Sequence, residues 1–168
     1  MAWDRLVRST HWAVALLVAF NLLNEEGARW HRWAGYTVAL LVLARLAWGL
    51  LLAPRHSPAR LSAWWPRPSQ VLLHVRLLLA GDRQAHGVGH NPLGACMVLA
   101  FWSVLLGLGL SGWMMQQDAW WGAEWLEDGH ELLASTLWAL VPLHVAGAML
   151  EGWRVRRNLV VAMVKGRP

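Results

Sequence analysis

Four of the eight histidines in this 168-residue chain stand in or at the ends of long apolar stretches. An ionisable group there is costly and by default points to function. His11 lies near the start of the first stretch, His31 at the start of the second, His130 at the start of the fourth and His144 well inside it. His130 and His144 are fourteen residues apart, which on a helix is about 21 Å along the axis and within about 40° of one face. They point the same way at two depths, too far apart to share one ion. Each needs a partner from another helix, and helices that alternate in direction supply it: His11 shares a depth with His144, and His31 with His130. Two imidazoles opposed across a bundle core are what a six-coordinate haem iron requires. With both axial positions filled, such an iron has no place for oxygen or substrate and is suited to passing electrons. No third or fourth ligand gathers at either depth, which argues against zinc. The competing use of histidines at helix ends is plain interfacial contact or a hydrogen bond to a neighbouring helix.

The elements that must position these side chains are legible in the hydropathy. Hydrophobic residues make up 57% of the chain and fall into four blocks, Leu6 to Leu23, Trp33 to Ala53, Leu93 to Met115 and Leu132 to Trp153. Each has about the 17–25 residues that a helix needs to cross hydrocarbon. The first block follows Arg5 and Arg8, but Asn21-Leu-Leu-Asn-Glu-Glu offers no small-x-small cleavage site, so it reads as a retained helix. The expected fold is all-α: one integral membrane four-helix bundle with spans at about 6–24, 31–53, 92–115 and 130–153. Short interfacial helices are expected at about 69–80 and 154–165, the first with Arg76 toward the headgroups.

A formal charge of +5 in a soluble domain would suggest nucleic acid, but its distribution here reports orientation instead. Arg55, Arg60, Arg67, Arg76 and Arg83 fall between the second and third blocks, and Arg154, Arg156, Arg157, Lys165 and Arg167 in the tail. Both regions are therefore expected in the cytoplasm, along with both termini. Between the third and fourth blocks stand Asp118, Glu124, Glu127, Asp128 and Glu131 with no lysine or arginine, which places that segment outside. Cys96 is the sole cysteine, so internal disulfides, thiolate zinc clusters and a C-x-x-C-H haem attachment are excluded. Any haem is held without thioether links. Most of the fourteen tryptophans, among them Trp30, Trp33, Trp113, Trp120, Trp121, Trp125 and Trp153, sit near span boundaries as an aromatic belt.

Other residues are candidates for lesser roles. Gly107, Gly109, Gly112 and Gly147 would let a flat macrocycle approach the backbone, and ordinary helix packing explains them equally well. Arg45 is a charge inside the second span, fourteen residues after His31 and so on nearly the same side at the depth of the inner pair. Its planar fork suits a haem propionate, and the alternative is snorkelling to the inner headgroups. His90 opens the third span in Gly89-His-Asn-Pro-Leu-Gly, where Asn91 and Pro92 make a helix start, and is a candidate for binding a quinone or a propionate. His56, His74 and His86 read as solvated or interfacial.

Arg8-Ser-Thr-His-Trp, His31-Arg-Trp-Ala-Gly-Tyr, Ala44-Arg-Leu-Ala-Trp-Gly, Gly89-His-Asn-Pro-Leu-Gly-Ala, Gly129-His-Glu-Leu-Leu-Ala and Leu143-His-Val-Ala-Gly occur in that order over nearly the whole chain. In this the sequence resembles the bacterial cytochrome b561 proteins and the related cytochrome b subunits of nickel-iron hydrogenases. The resemblance implies two b haems per chain in the bacterial inner membrane, with His11 and His144 as the inner iron ligands and His31 and His130 as the outer ones. It implies electron exchange between membrane quinone and a periplasmic redox partner such as a cytochrome c, or a hydrogenase or other dehydrogenase. It also leaves open a superoxide:quinone oxidoreductase, a haem-binding anchor subunit, and a homodimer. Membrane lipid is the expected surrounding and nucleic acid is not an expected partner. The charge pattern predicts that reporter fusions after Glu127 and after Pro168 give opposite locations; matching locations would defeat the four-span topology.

Overall fold

The computed structural model describes residues 5–24, 29–54, 57, 59–81 and 91–166. Among them the regular elements are helical: α1 (Arg5–Leu23), α2 (Arg29–Ala47), α3 (Pro68–Leu79), α4 (Pro92–Met114), α5 (Glu124–Arg154) and α6 (Leu159–Lys165). A turn of π-helix, Trp48–Leu52, continues α2. Four segments are long and apolar enough to cross a membrane, namely Arg5–Leu23, Arg29–Leu52, Pro92–Met114 and Glu124–Arg154, as expected of an all-helical membrane protein. No more than 22% of any span's apolar window is buried inside the protein, and Leu16, Leu23, Leu40 and Leu132 are each at least 66% exposed. In water that much contiguous apolar surface would drive aggregation, whereas in lipid it is the surface a span presents.

The chain divides into two compact units. The first comprises Met1–Arg8, Leu46–Leu99 and Leu143–Pro168. Here α4 starts where expected: Asn91 accepts the Gly94 N–H on its side-chain oxygen at 2.6 Å, and Pro92 takes the first helical position. Helix α5 ends in a turn in which the Arg157 N–H donates to the Gly152 carbonyl (2.9 Å) and the Arg156 N–H to that of Trp153 (3.3 Å), with Arg156 left-handed at φ 51°. Asn158 then opens α6 by accepting the Val161 N–H at 2.9 Å. Arg8 donates from Nε to the Met163 carbonyl (3.2 Å) and from Nη2 to that of Val164. A cation thus meets the orphan carbonyls at the C-terminus of α6, where the helix dipole favours it.

Helix α3 is amphipathic, with Leu72, Leu73, Arg76 and Leu79 exposed and Val71, His74 and Leu78 on the covered face. His74 was expected to be solvated or interfacial; it is instead only 2% exposed, because the helical period sets it opposite Arg76 rather than beside it.

The second unit comprises Ser9–Arg45 and Ala100–Pro142. The buried residues of α2, Ala34, Val38, Val42 and Arg45, recur at helical spacing and form one stripe that continues the line of His31. Val104, Leu105 and Ser111 of α4 and Leu126 and Leu137 of α5 are also buried. Helices α2 and α4 approach closely at Gly109, where an added Cβ would lie 2.7 Å from Cβ of Ala39. Gly109→Ala should therefore lower the unfolding midpoint of the detergent-solubilised protein, since overpacking costs about 1–3 kcal/mol. Gly129→Ala, whose new methyl meets no atom within 4 Å, should not lower the midpoint, since alanine is the better helix former. Equal midpoints for the two variants in a thermal melt would contradict this packing.

Candidate functional site

In the second unit the structure brings His31 and His130 together, their ring centres 6.5 Å apart and their planes inclined at 57°. Each ring is positioned by its δ nitrogen. Nδ1 of His31 lies 2.7 Å from the carbonyl oxygen of Asn24, just past the end of α1, and the side-chain amide of Asn21 donates back to the His31 carbonyl at 3.1 Å. The end of α1 thus clasps the start of α2. Nδ1 of His130 lies 2.8 Å from Oγ of Ser111, a buried residue of α4. The Ser111 Oγ is also 2.8 Å from the Gly107 carbonyl and 3.3 Å from that of Leu108.

These partners dictate where the ring protons reside. A carbonyl oxygen only accepts, so Nδ1 of His31 is the donor. The Ser111 hydroxyl has one proton and lies 2.8 Å from both the Gly107 carbonyl and Nδ1 of His130; when the carbonyl takes that proton, the hydroxyl's lone pair accepts an N–H from His130. Both imidazoles then carry their free lone pair on Nε2. A second hydrogen bond at the opposite nitrogen is how metal-ligating histidines are held and their tautomer fixed.

The spacing fits the same use. An imidazole–metal bond of about 2 Å on each side sets two opposed ring centres roughly 6–6.5 Å apart. Among the described residues no three His, Cys, Asp or Glu side chains gather as a metal cluster, so the donor set is a pair. A pair of axial imidazoles fits an iron whose remaining ligands come from a macrocycle. Gly112 lies beside the His130 ring, where a Cβ would be in ordinary contact with Cε1 at 3.5 Å. The other candidate glycines divide. Gly107 and Gly109 face Leu133 and Ala39 and are helix-packing residues, while a Cβ on Gly147 would meet nothing within 4 Å.

Of the deeper candidates, His11 is partly buried in the second unit with its ring edge-on to Trp12 at 5.4 Å, and His144 is partly buried in the first. Arg45 is 7% exposed, and its guanidinium lies 5.9 Å from the ring centre of Trp102. That burial is not the pose of a side chain reaching outward to headgroups. His90, His56 and His86 lie outside the described residues. Sequence reasoning missed Ser111, Asn21 and the Asn24 carbonyl. The signal for Ser111 was a lone hydroxyl near the end of α4, at the depth of the outer pair; the backbone acceptor left no trace in residue type.

A helical membrane protein that brings two imidazoles together, each with its δ nitrogen already bonded, is of the class that holds haem between helices. The chain belongs to the prokaryotic cytochrome b561 family, whose model matches residues 2–166. It is accordingly a multi-pass membrane protein that binds haem b and serves electron transfer. No curated protein and no solved structure matches the chain.

Proposed function

We propose that the protein is a dihaem cytochrome that carries electrons across the bacterial inner membrane, between the quinone pool and a redox protein on the periplasmic side. The observation that carries this reading is the His31–His130 pair, held at 6.5 Å with both δ nitrogens engaged. These two residues would hold the outer iron through Nε2. His11 and His144 would hold the inner one, on their matched depth in the sequence and on the family's motifs. Bound haem supplies a one-electron couple at its iron. The protein's own part would be to hold each iron between two imidazoles, to exclude water with an apolar surround, and to fix the rings so that little rearranges when charge changes.

Arg45 supports the inner site. A cation in a membrane span costs at least about 2.5–3.5 kcal/mol unless compensated, and a propionate would offset that cost through a bidentate contact. His90, in the Gly-His-Asn-Pro segment, is proposed for a quinone or a propionate. On the opposite side, Asp118, Glu124, Glu127, Asp128 and Glu131 are all exposed, and such a patch steers a basic partner by long-range attraction.

Replacing His31 or His130 by alanine should remove one haem per chain, and replacing His11 or His144 should remove the other, as counted by haem-to-protein ratio. A His144→Ala protein that keeps two haems with unchanged low-spin bands would refute the ligand assignment. Arg45→Leu should weaken inner-haem retention or lower its reduction potential, because a nearby cation favours the less positive, reduced iron; both haems at unshifted potentials would exclude the propionate role.

A further inference from the structure

The two imidazoles of the outer pair are anchored by different chemistry. His31 leans on a backbone carbonyl, that of Asn24, whereas His130 leans on a side chain, Ser111. A serine in a membrane helix commonly turns its hydroxyl to a carbonyl one turn back, and Ser111 does this with Gly107. That bond uses the hydroxyl's only proton and needs no neighbour. Yet the same oxygen stands 2.8 Å from Nδ1 of a residue on another helix, in a place only 8% exposed. Gly112, the next residue, also lies against this ring, a Cβ there falling 3.5 Å from Cε1. Ser111 and His130 therefore form a directed chain: the His130 N–H donates to the Ser111 hydroxyl, and that hydroxyl donates to the Gly107 carbonyl.

We propose that Ser111 is a positioning residue of the outer haem site, which locks His130 in the tautomer that offers Nε2 to iron and strengthens it as a donor. This rests on the reading of His31 and His130 as the outer ligands. The electrostatic consequence has a definite sign. An N–H engaged by an acceptor leaves more electron density on the opposite nitrogen, and a stronger donor favours the oxidised, more positive iron. Ser111 thus holds the outer potential below the value that a bare His130 would give, and the inner site, with its own histidines, is untouched.

The test is a redox titration of the purified protein together with low-temperature electron paramagnetic resonance of its ferric state, on wild type, Ser111→Ala and Ser111→Thr. The outer signals are identified as those missing from His130→Ala. In Ser111→Ala the outer haem should stay bound and its potential should rise, by about 59 mV if the oxidised-to-reduced ratio changes about tenfold. Its ferric signal should shift and the inner haem should remain as in wild type. Ser111→Thr keeps a hydroxyl able to bond the carbonyl one turn back and should restore the wild-type potential. Should Ser111→Ala lose the outer haem, retention at wild-type potential in Ser111→Thr supports the proposal and loss in both variants overturns it. An outer haem in Ser111→Ala with unshifted potential and signal also overturns it while leaving the ligand assignment intact. If His130→Ala lacks no signal present in wild type, the underlying assignment has failed instead.

Discussion

An imidazole serves a metal with one nitrogen only when the other is committed elsewhere, and in a membrane the acceptors that can commit it are few. The contacts around His31 and His130 follow that constraint. Asn24 ends α1 so that its carbonyl meets His31, and Asn21 holds the His31 backbone from the other side. Ser111 brings a hydroxyl from α4 to His130 of α5. Four helices contribute, and each contribution is short-ranged and directional. Loss of the Ser111 hydroxyl or of the Asn24 carbonyl would leave a ring nitrogen unmatched, whereas loss of Asn21 would free the His31 backbone carbonyl.

The remainder of the fold gives these contacts a rigid frame at modest expense. The buried stripe of α2 uses small and β-branched residues, Ala34, Val38 and Val42, and α4 comes against Ala39 through Gly109. Helix packing in lipid has no hydrophobic drive between apolar surfaces, so close backbone approach and hydrogen bonds must do the work. The exposed leucines serve a different purpose, as solvent contacts for hydrocarbon. The first unit adds polar contacts at helix ends: Arg8 on the end of α6, and Asn158 and Asn91 at helix starts. Each is a capping interaction at a helix end.

Much of this was legible in the sequence because its cause is periodic or compositional. Runs of about twenty apolar residues fix the spans, and Asn91-Pro92 marks a helix start by its own chemistry. The pairing of His31 with His130 follows from depth alone, since helices that alternate in direction bring the two residues to one level. Ser111 was not legible: many serines in membrane helices bond their own backbone, and only the crossing of α4 past α5 makes this one a histidine's acceptor. His74 was misjudged for a related reason. An interfacial helix over 69–80 is readable from its apolar run, but which side of α3 is buried depends on what it rests against, which composition does not carry. Arg45 shows the intermediate case, where the helical period set its face correctly and the burial that disfavours snorkelling needed the structure.

On the proposed ligation, His31 with His130 and His11 with His144 would hold two haem irons and leave neither with an open position. The most direct measurement is the haem-to-polypeptide ratio of the wild-type protein combined with its response to carbon monoxide in the reduced state. Two haems per chain are expected, both six-coordinate and low-spin, with a spectrum that carbon monoxide leaves unchanged because no coordination position is open. One haem per chain, or a spectrum that shifts as the gas binds, would contradict it.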